Sequence, residues 1–139
     1  MTGEYSAFVV DDEPGLLRFF EKFLTRRSIA ATTFATAEAC LEAMRNTNLE
    51  HSAVPDLVLI DLDLGSGRMQ GHELVARLNN MDVPSELVVM SGVASMAAIE
   101  DAINVGAGYY IAKPFDVASL GPTLGRLADI GNGRRTYRM

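Results

Sequence analysis

The chain is poor in cysteine, in long apolar runs and in positive charge at its amino terminus, and each shortage excludes a class of protein. Cys40 is the one cysteine among 139 residues, so a disulfide framework is excluded and a reducing compartment, the cytoplasm, is expected. No apolar run approaches the roughly 18 residues that a membrane-spanning helix needs. The first residues lack the basic segment of a secretory signal peptide. We therefore expect neither membrane insertion nor secretion.

Positive charge is scarce in the chain as a whole. Twelve lysines and arginines face 18 acidic residues, which gives a formal net charge of −6 and disfavours nucleic-acid binding, because the phosphate backbone would be repelled. Hydrophobic residues make up 48% of the chain, which is enough for a folded core. We expect a single domain over residues 1–139, with a core at about 5–130 and a flexible tail at 131–139.

Short apolar runs alternate with stretches of helical periodicity. The predicted strands cover residues 5–10, 29–34, 55–61, 87–90 and 109–112. The predicted helices cover 15–27, a segment capped by Thr36, a segment from about 71, a segment capped by Ser95 and stopped by Gly106, and 116–130. This alternation predicts an α/β fold, a doubly wound five-stranded parallel sheet with helices on both faces.

Two helices carry more specific expectations. In the fourth, Met96, Ile99, Ala102 and Ile103 share one face. In the last, proline is tolerated only where its missing N–H has no partner within the helix. Because Pro122 follows Gly121, we expect that helix to begin near Ser119 or to be kinked.

The strand at 55–61 ends in a carboxylate, Asp61. Its four consecutive apolar residues are typical of a strand buried on both faces, and Asp61 follows where the strand leaves the sheet. Taken alone, such an aspartate is most simply a helix cap or a turn residue. The alternative is a nucleophile or a metal ligand, and the neighbouring strand ends decide between the two.

Other polar residues leave the predicted strands at the same edge. Asp11 and Asp12 follow the first strand, Ser91 ends the fourth and Lys113 follows the fifth. Three converging carboxylates repel one another, and a hard cation with oxygen ligands relieves that repulsion. Mg²⁺ suits such a shallow site, and it would leave an oxygen of Asp61 ready to attack a phosphoryl group.

The remaining polar residues suit the binding of phosphoryl oxygens. Lys113 is one of only two lysines, and its ammonium suits a compact contact to an oxyanion. The Ser91 hydroxyl can reach a phosphoryl oxygen, and Gly92 leaves room for the group to approach. The plainer alternatives are a structural ion pair for Lys113 and a loop or cap serine for Ser91.

These motifs, in this order and at the ends of four strands, resemble the receiver domain of two-component response regulators over roughly residues 5–130. The resemblance implies the flavodoxin-like five-stranded fold. It also implies that Asp61 takes a phosphoryl group from a sensor histidine kinase, a histidine phosphotransfer protein or a small donor, without being a turnover enzyme. Asp12, Asp61 and the backbone carbonyl of Asp63 would hold Mg²⁺, with Asp11 acting through water.

The same resemblance implies a switch. Ser91 and Lys113 would bind the phosphoryl oxygens, and Tyr110, three residues before the lysine, would be the switch aromatic that rotates inward. The charge added by the phosphoryl group, about −1.5 to −2, would bias this element. An ordinary aromatic residue of the core is an equally good interpretation of Tyr110.

Three positions depart from the pattern of this family. The loop after Asp61 is about two residues longer, next to the Asp63 carbonyl. Val93 is apolar at a position where the family tunes loss of the phosphoryl group. We expect its side chain to slow hydrolysis of that group, which a changed phosphoryl lifetime in Val93→Glu would show. Pro122 alters the last helix, through which the resemblance allows a homodimer.

Alternatives from other classes share some of these residues. Asp61 and Asp63 after an apolar strand resemble the nucleophile motif of haloacid-dehalogenase-type phosphatases. A phosphate-independent interaction module is a third alternative. As a receiver, the chain would be a single-domain regulator, a phosphorelay shuttle or the amino-terminal part of a longer protein.

Overall fold

The computed structural model describes residues 5–47, 53–92 and 96–137, in which strands and helices alternate. The strands are β1 (Tyr5–Val10), β2 (Ile29–Phe34), β3 (Leu57–Asp61), β4 (Glu86–Ser91) and β5 (Tyr109–Ala112). The helices are α1 (Pro14–Thr25), α2 (Ala37–Asn46), α3 (Gly71–Asn80), α4 (Met96–Asn104) and α5 (Val117–Tyr137). The predicted order and type of these elements are confirmed.

The strands form one parallel sheet in the order β2-β1-β3-β4-β5. This is the flavodoxin-like arrangement, and the predicted fold class is confirmed. Alternate strand residues face opposite sides of the sheet, so Val9 and Leu59 pack against α1 and α5. Val10 and Ile60 pack on the other face, with α2, α3 and α4. All five residues of β3 are buried, as its apolar run predicted.

Helix α2 forms as its sequence predicts. The Thr36 hydroxyl accepts a hydrogen bond from the Ala39 N–H at 3.1 Å, which satisfies one of the free donors of the first turn. The inner face of the helix is buried and comprises Ala37, Cys40, Leu41 and Met44.

Helix α4 buries only part of its apolar face. Ile99 and Ala102 are buried, but Met96 and Ile103 are 66% and 48% exposed, so the apolar stripe is wider than the surface that the sheet and α3 cover. The proposed cap residue Ser95 lies outside the described residues.

Helix α5 begins close to its expected start and corrects the expectation for the tail. It begins at Val117, two residues before the predicted Ser119, and it contains Pro122, although the proline removes the N–H that would bond to the carbonyl of residue 118. The expected flexible tail was wrong for residues 131–137, because the helix runs to Tyr137. Arg134 forms an ion pair with Glu86 at 2.6 Å, and the Arg135 Nε lies 3.0 Å from the buried carboxylate of Asp56.

Candidate functional site

The carboxyl ends of the strands meet around a cleft of about 500 Å³. Its lining includes Asp12, Asp61, Asp63, Ser91, Gly92 and Lys113. The parallel topology places these side chains together, although more than 100 positions separate the first from the last in the sequence.

Three carboxylates converge at this edge. Oxygen atoms of Asp11, Asp12 and Asp61 all lie within 4.8 Å of one another. Asp11 is fully buried and accepts a hydrogen bond from the Glu13 N–H at 3.0 Å, whereas Asp12 is exposed in the cleft. The cluster offers only oxygen donors, one of them open to solvent, which is the donor set that a hard divalent cation takes.

Lys113 joins two of these acids. Its Nζ lies 2.9 Å from Asp11 Oδ2 and 3.1 Å from Asp61 Oδ2. Burial acts to lower the pKa of Lys113, but its hydrogen bonds and the negative charges of Asp11 and Asp61 outweigh that effect and raise the pKa. Both interpretations of Lys113 therefore hold. Its ammonium forms a structural ion pair with Asp11 and also lies beside Asp61.

Both carboxylate oxygens of Asp61 accept hydrogen bonds. Oδ2 faces Lys113, and Oδ1 accepts the N–H of Asp63 at 3.1 Å, as in an Asx turn. The side chain is largely buried, and this burial raises the pKa of Asp61 to about 6. The negative charge of Asp11 adds to the increase, while the Asp63 N–H and Lys113 oppose it.

The loop between β3 and α3 is organised by a side chain that the sequence analysis missed. Gln70 Oε1 accepts the N–H of Leu64 at 2.9 Å, while Nε2 donates to the carbonyls of Gly65 and, at 3.1 Å, Arg68. Its one sequence signal is its position as the residue before α3, where a polar side chain is typical.

Gly71 was also not assigned a role. A Cβ added at this first residue of α3 would lie 2.3 Å from the carbonyl oxygen of Asp61, so only glycine lets the helix start against the end of β3. A glycine directly after a long loop was the available signal.

The remaining predicted residues lie in two places. Ser91 is half-buried at the end of β4, and Gly92 is exposed beside Lys113 in the same cleft. Tyr110 is half-buried on β5 and packs against the core on the α2–α4 side of the sheet, while also lining a separate groove between β5 and α5. Val93 lies outside the described residues.

A comparison with known families decides what this arrangement is. The model of the response regulator receiver domain matches residues 7–124. This chain belongs to that family. Membership favours the receiver domain over the phosphatase family, whose resemblance rested on Asp61 and Asp63 after an apolar strand.

Two relatives illustrate how this receiver domain matches longer proteins. The heme response regulator HssR of Staphylococcus epidermidis is 29% identical over 115 residues, which cover 83% of this chain and 47% of the relative. The transcriptional regulatory protein KdpE of Mycobacterium tuberculosis is 33% identical over 107 residues, 77% of this chain and 43% of the relative. The chain thus spans less than half the length of these relatives.

A solved structure shows the same fold. The CheY-like response regulator receiver domain protein of Methanospirillum hungatei JF-1 superposes with a TM-score of 0.82 at 23% identity, and the match covers 94% of this chain and 98% of that one. Among the described residues of the receiver domain, no helix has both the length and the apolar character needed to cross a bilayer.

Proposed function

We propose that Asp61 accepts a phosphoryl group from a sensor histidine kinase or a histidine phosphotransfer protein in the cytoplasm, and that the modified site switches a protein-interaction surface. The receiver domain would act as a stoichiometric acceptor and not as a turnover enzyme. The observation that supports this most strongly is the meeting of Asp11, Asp12, Asp61 and Lys113 at one edge of the sheet.

The surroundings of the three acids favour Asp61 as the acceptor. Asp11 is fully buried, and it does not line the cleft. Asp61 lines the cleft, and its Oδ2 lies beside the Lys113 ammonium, which can neutralise an oxygen of an incoming phosphoryl group. Its Oδ1 is oriented by the Asp63 N–H.

The donor set fits Mg²⁺. Carboxylate oxygens of Asp12 and Asp61 and the backbone carbonyl of Asp63 would hold the ion, with Asp11 acting through water. When bound, Mg²⁺ would neutralise charge on the phosphoryl oxygens. Removal of the metal should therefore prevent phosphorylation, because the acidic cluster would otherwise repel the donor.

The transfer itself is a substitution at phosphorus. A carboxylate oxygen of Asp61 forms the new P–O bond, and the P–N bond of the donor phosphohistidine breaks, with its electron pair returning to the imidazole. Lys113 stays protonated throughout, because both of its acidic partners raise its pKa, and can bind a phosphoryl oxygen. Ser91 and Gly92, in the same cleft, would bind the remaining oxygens.

The output would be a change in surface packing. Phosphorylation adds about −1.5 to −2 charges at Asp61 and would draw Ser91 towards the new group. Tyr110, only half-buried beside the core, would then rotate inward and change the groove between β5 and α5.

The direct test is mass spectrometry of the intact protein after incubation with acetyl phosphate and MgCl₂. We expect wild type to gain one phosphoryl group and Asp61→Asn to gain none, because the amide lacks the negatively charged oxygen that attacks phosphorus. The matched control is Asp101→Asn, which removes an exposed carboxylate on α4 and should be phosphorylated like wild type. EDTA should abolish the gain in wild type and in Asp101→Asn.

Two results would contradict the proposal. Equal phosphorylation of Asp61→Asn and wild type would show that another residue is the phosphoacceptor. Continued release of inorganic phosphate from phosphomonoesters, far beyond one equivalent, would restore the phosphatase alternative.

A further inference from the structure

The Gln70 side chain contacts the loop that follows Asp61 at several points. Between β3 and α3, its amide accepts from the Leu64 N–H at 2.9 Å and donates to the carbonyls of Gly65 and Arg68. This is the loop that the resemblance to the family predicts to be about two residues longer than usual. A longer loop has more conformations to lose on ordering, and one side chain supplies three of the bonds that offset this cost.

The bond to Leu64 also fixes the direction of a neighbouring carbonyl. The N–H of Leu64 and the C=O of Asp63 belong to the same peptide group, which is planar. That peptide is trans, since Lys113–Pro114 is the cis bond found in the described part of the chain. In a trans peptide the two groups point in opposite directions, so an N–H directed at Gln70 turns the Asp63 carbonyl away from Gln70.

Asp63 is thereby oriented from both sides. Its own N–H donates to Asp61 Oδ1, and its carbonyl belongs to the peptide whose N–H bonds to Gln70 Oε1. Gln70 is itself fixed, because its backbone N–H donates to Glu73 Oε1 at 3.2 Å in the first turn of α3. The chain of contacts thus runs from α3 through Gln70 to the proposed acceptor.

We propose that Gln70 is a positioning residue for the metal: it orients the Asp63 carbonyl as a Mg²⁺ ligand and so sets the Mg²⁺ affinity of the receiver domain. This inference rests on the proposed function, in which that carbonyl is one of the ligands. Gln70 lines the same cleft as Asp61 and Asp12, so its contacts lie next to the ligands that it would support. Groups that orient metal ligands typically change affinity by about 10–100-fold when they are removed.

The test is a titration with MgCl₂ alone, followed through the backbone amide resonances of residues 61–65, because the chain has no tryptophan to report binding by fluorescence. Gln70→Asn keeps an amide before α3 but is one methylene shorter and cannot reach the Leu64 N–H. Gln70→Met keeps the length and lacks the acceptor. We expect each to weaken Mg²⁺ binding about tenfold.

Rescue by a conservative variant separates positioning from general damage to the loop. Gln70→Glu keeps the length and the acceptor for Leu64 but loses both donors to the Gly65 and Arg68 carbonyls. If the Leu64 contact sets the affinity, this variant should stay within about threefold of wild type. The control for its added charge is His72→Glu, at an exposed neighbouring position, on the Gln70→Met background, which should remain weak. The Leu64 amide resonance should move in Gln70→Asn and Gln70→Met and stay near its wild-type position in Gln70→Glu.

The outcomes distinguish this inference from the function on which it rests. Wild-type Mg²⁺ affinity in Gln70→Asn or Gln70→Met would overturn the positioning role. If Asp61→Asn still fails to gain a phosphoryl group, the proposal that Asp61 is the acceptor stands. Failure of the wild type itself to bind Mg²⁺ would overturn both. An equal loss in Gln70→Glu and Gln70→Met would assign the effect to the loop as a whole and overturn the role of the Leu64 contact.

Discussion

Cys40 lies on the inner face of α2 and is fully buried among apolar side chains. Burial raises the pKa of its thiol to about 12, because the low-polarity surroundings disfavour the thiolate. The side chain therefore behaves as a small core residue, and its reactivity should depend on unfolding.

A thiol-trapping experiment tests this environment. At pH 8 we expect iodoacetamide to label Cys40 at least about 100-fold more slowly in the native protein than in urea, since the shift in pKa removes most of the reactive thiolate. Mass spectrometry at timed intervals measures both rates. Native labelling as fast as in urea would show that α2 opens readily and that Cys40 is not a stable core residue.

The sequence located some site residues better than others. Asp11, Asp12, Asp61 and Lys113 lie together as predicted, because each directly follows a strand and parallel strands share one edge. Gln70 was missed because its importance depends on backbone groups of its own loop, and loop conformation is not encoded in hydrophobic periodicity.

At the scale of single elements, α5 shows where sequence patterns are insufficient. Residues 131–137 contain two glycines and two arginines, which predicted a loose end. They are helical because Arg134 and Arg135 pair with Glu86 and Asp56, two acids at the amino ends of other strands. The hydrophobic pattern that predicted the sheet carries no information on such polar partners. Elsewhere the alternating apolar runs were enough to predict the order of all ten elements.

Two glycines of α5 provide a matched pair of substitutions. A Cβ at Gly131 would lie 1.7 Å from the carbonyl oxygen of Asp56, whereas a Cβ at Gly133 would meet nothing within 4 Å. We expect Gly131→Ala to reduce the free energy of unfolding by about 2–3 kcal/mol, because backbone must move. Gly133→Ala should increase it by about 0.5–1 kcal/mol through higher helix propensity.

Urea denaturation followed by circular dichroism measures both changes. Similar effects of the two substitutions would show that α5 does not pack closely against β3 at this point. Because the two positions are two residues apart in one helix, general effects of alanine on helix stability act on both.

At the scale of the whole molecule, burying Asp61 at this edge, with Asp11 beside it, reduces stability. The pKa of Asp61 is about 6 in the folded protein, against an ordinary value of 3.8. Between these values the folded state holds a proton that the unfolded state has lost. Stability therefore falls as the pH rises through this window, and the cost is fully present above it.

Asp61→Asn should remove that cost. In EDTA at pH 7 we expect the variant to be more stable than wild type by about 1–2 kcal/mol, after allowance for solvent screening at the cleft. The difference should shrink as the pH falls from 6 towards 4, because the wild-type carboxyl becomes protonated. Urea denaturation at several pH values measures it. A difference that grows towards acid would contradict the assigned direction.

The pairing of charges also differs between the two ends of the sheet. At the amino ends of β3 and β4, Asp56 and Glu86 each face an arginine. At the carboxyl edge three aspartates converge, and in the described part of the chain Lys113 pairs with two of them, Asp11 and Asp61. Negative charge at the cleft is therefore only partly compensated by Lys113, whereas Asp56 and Glu86 are each paired with an arginine. Under the proposed function, this negative charge repels a phosphorylated donor before contact, so a donor with cationic residues around its phosphohistidine should associate faster.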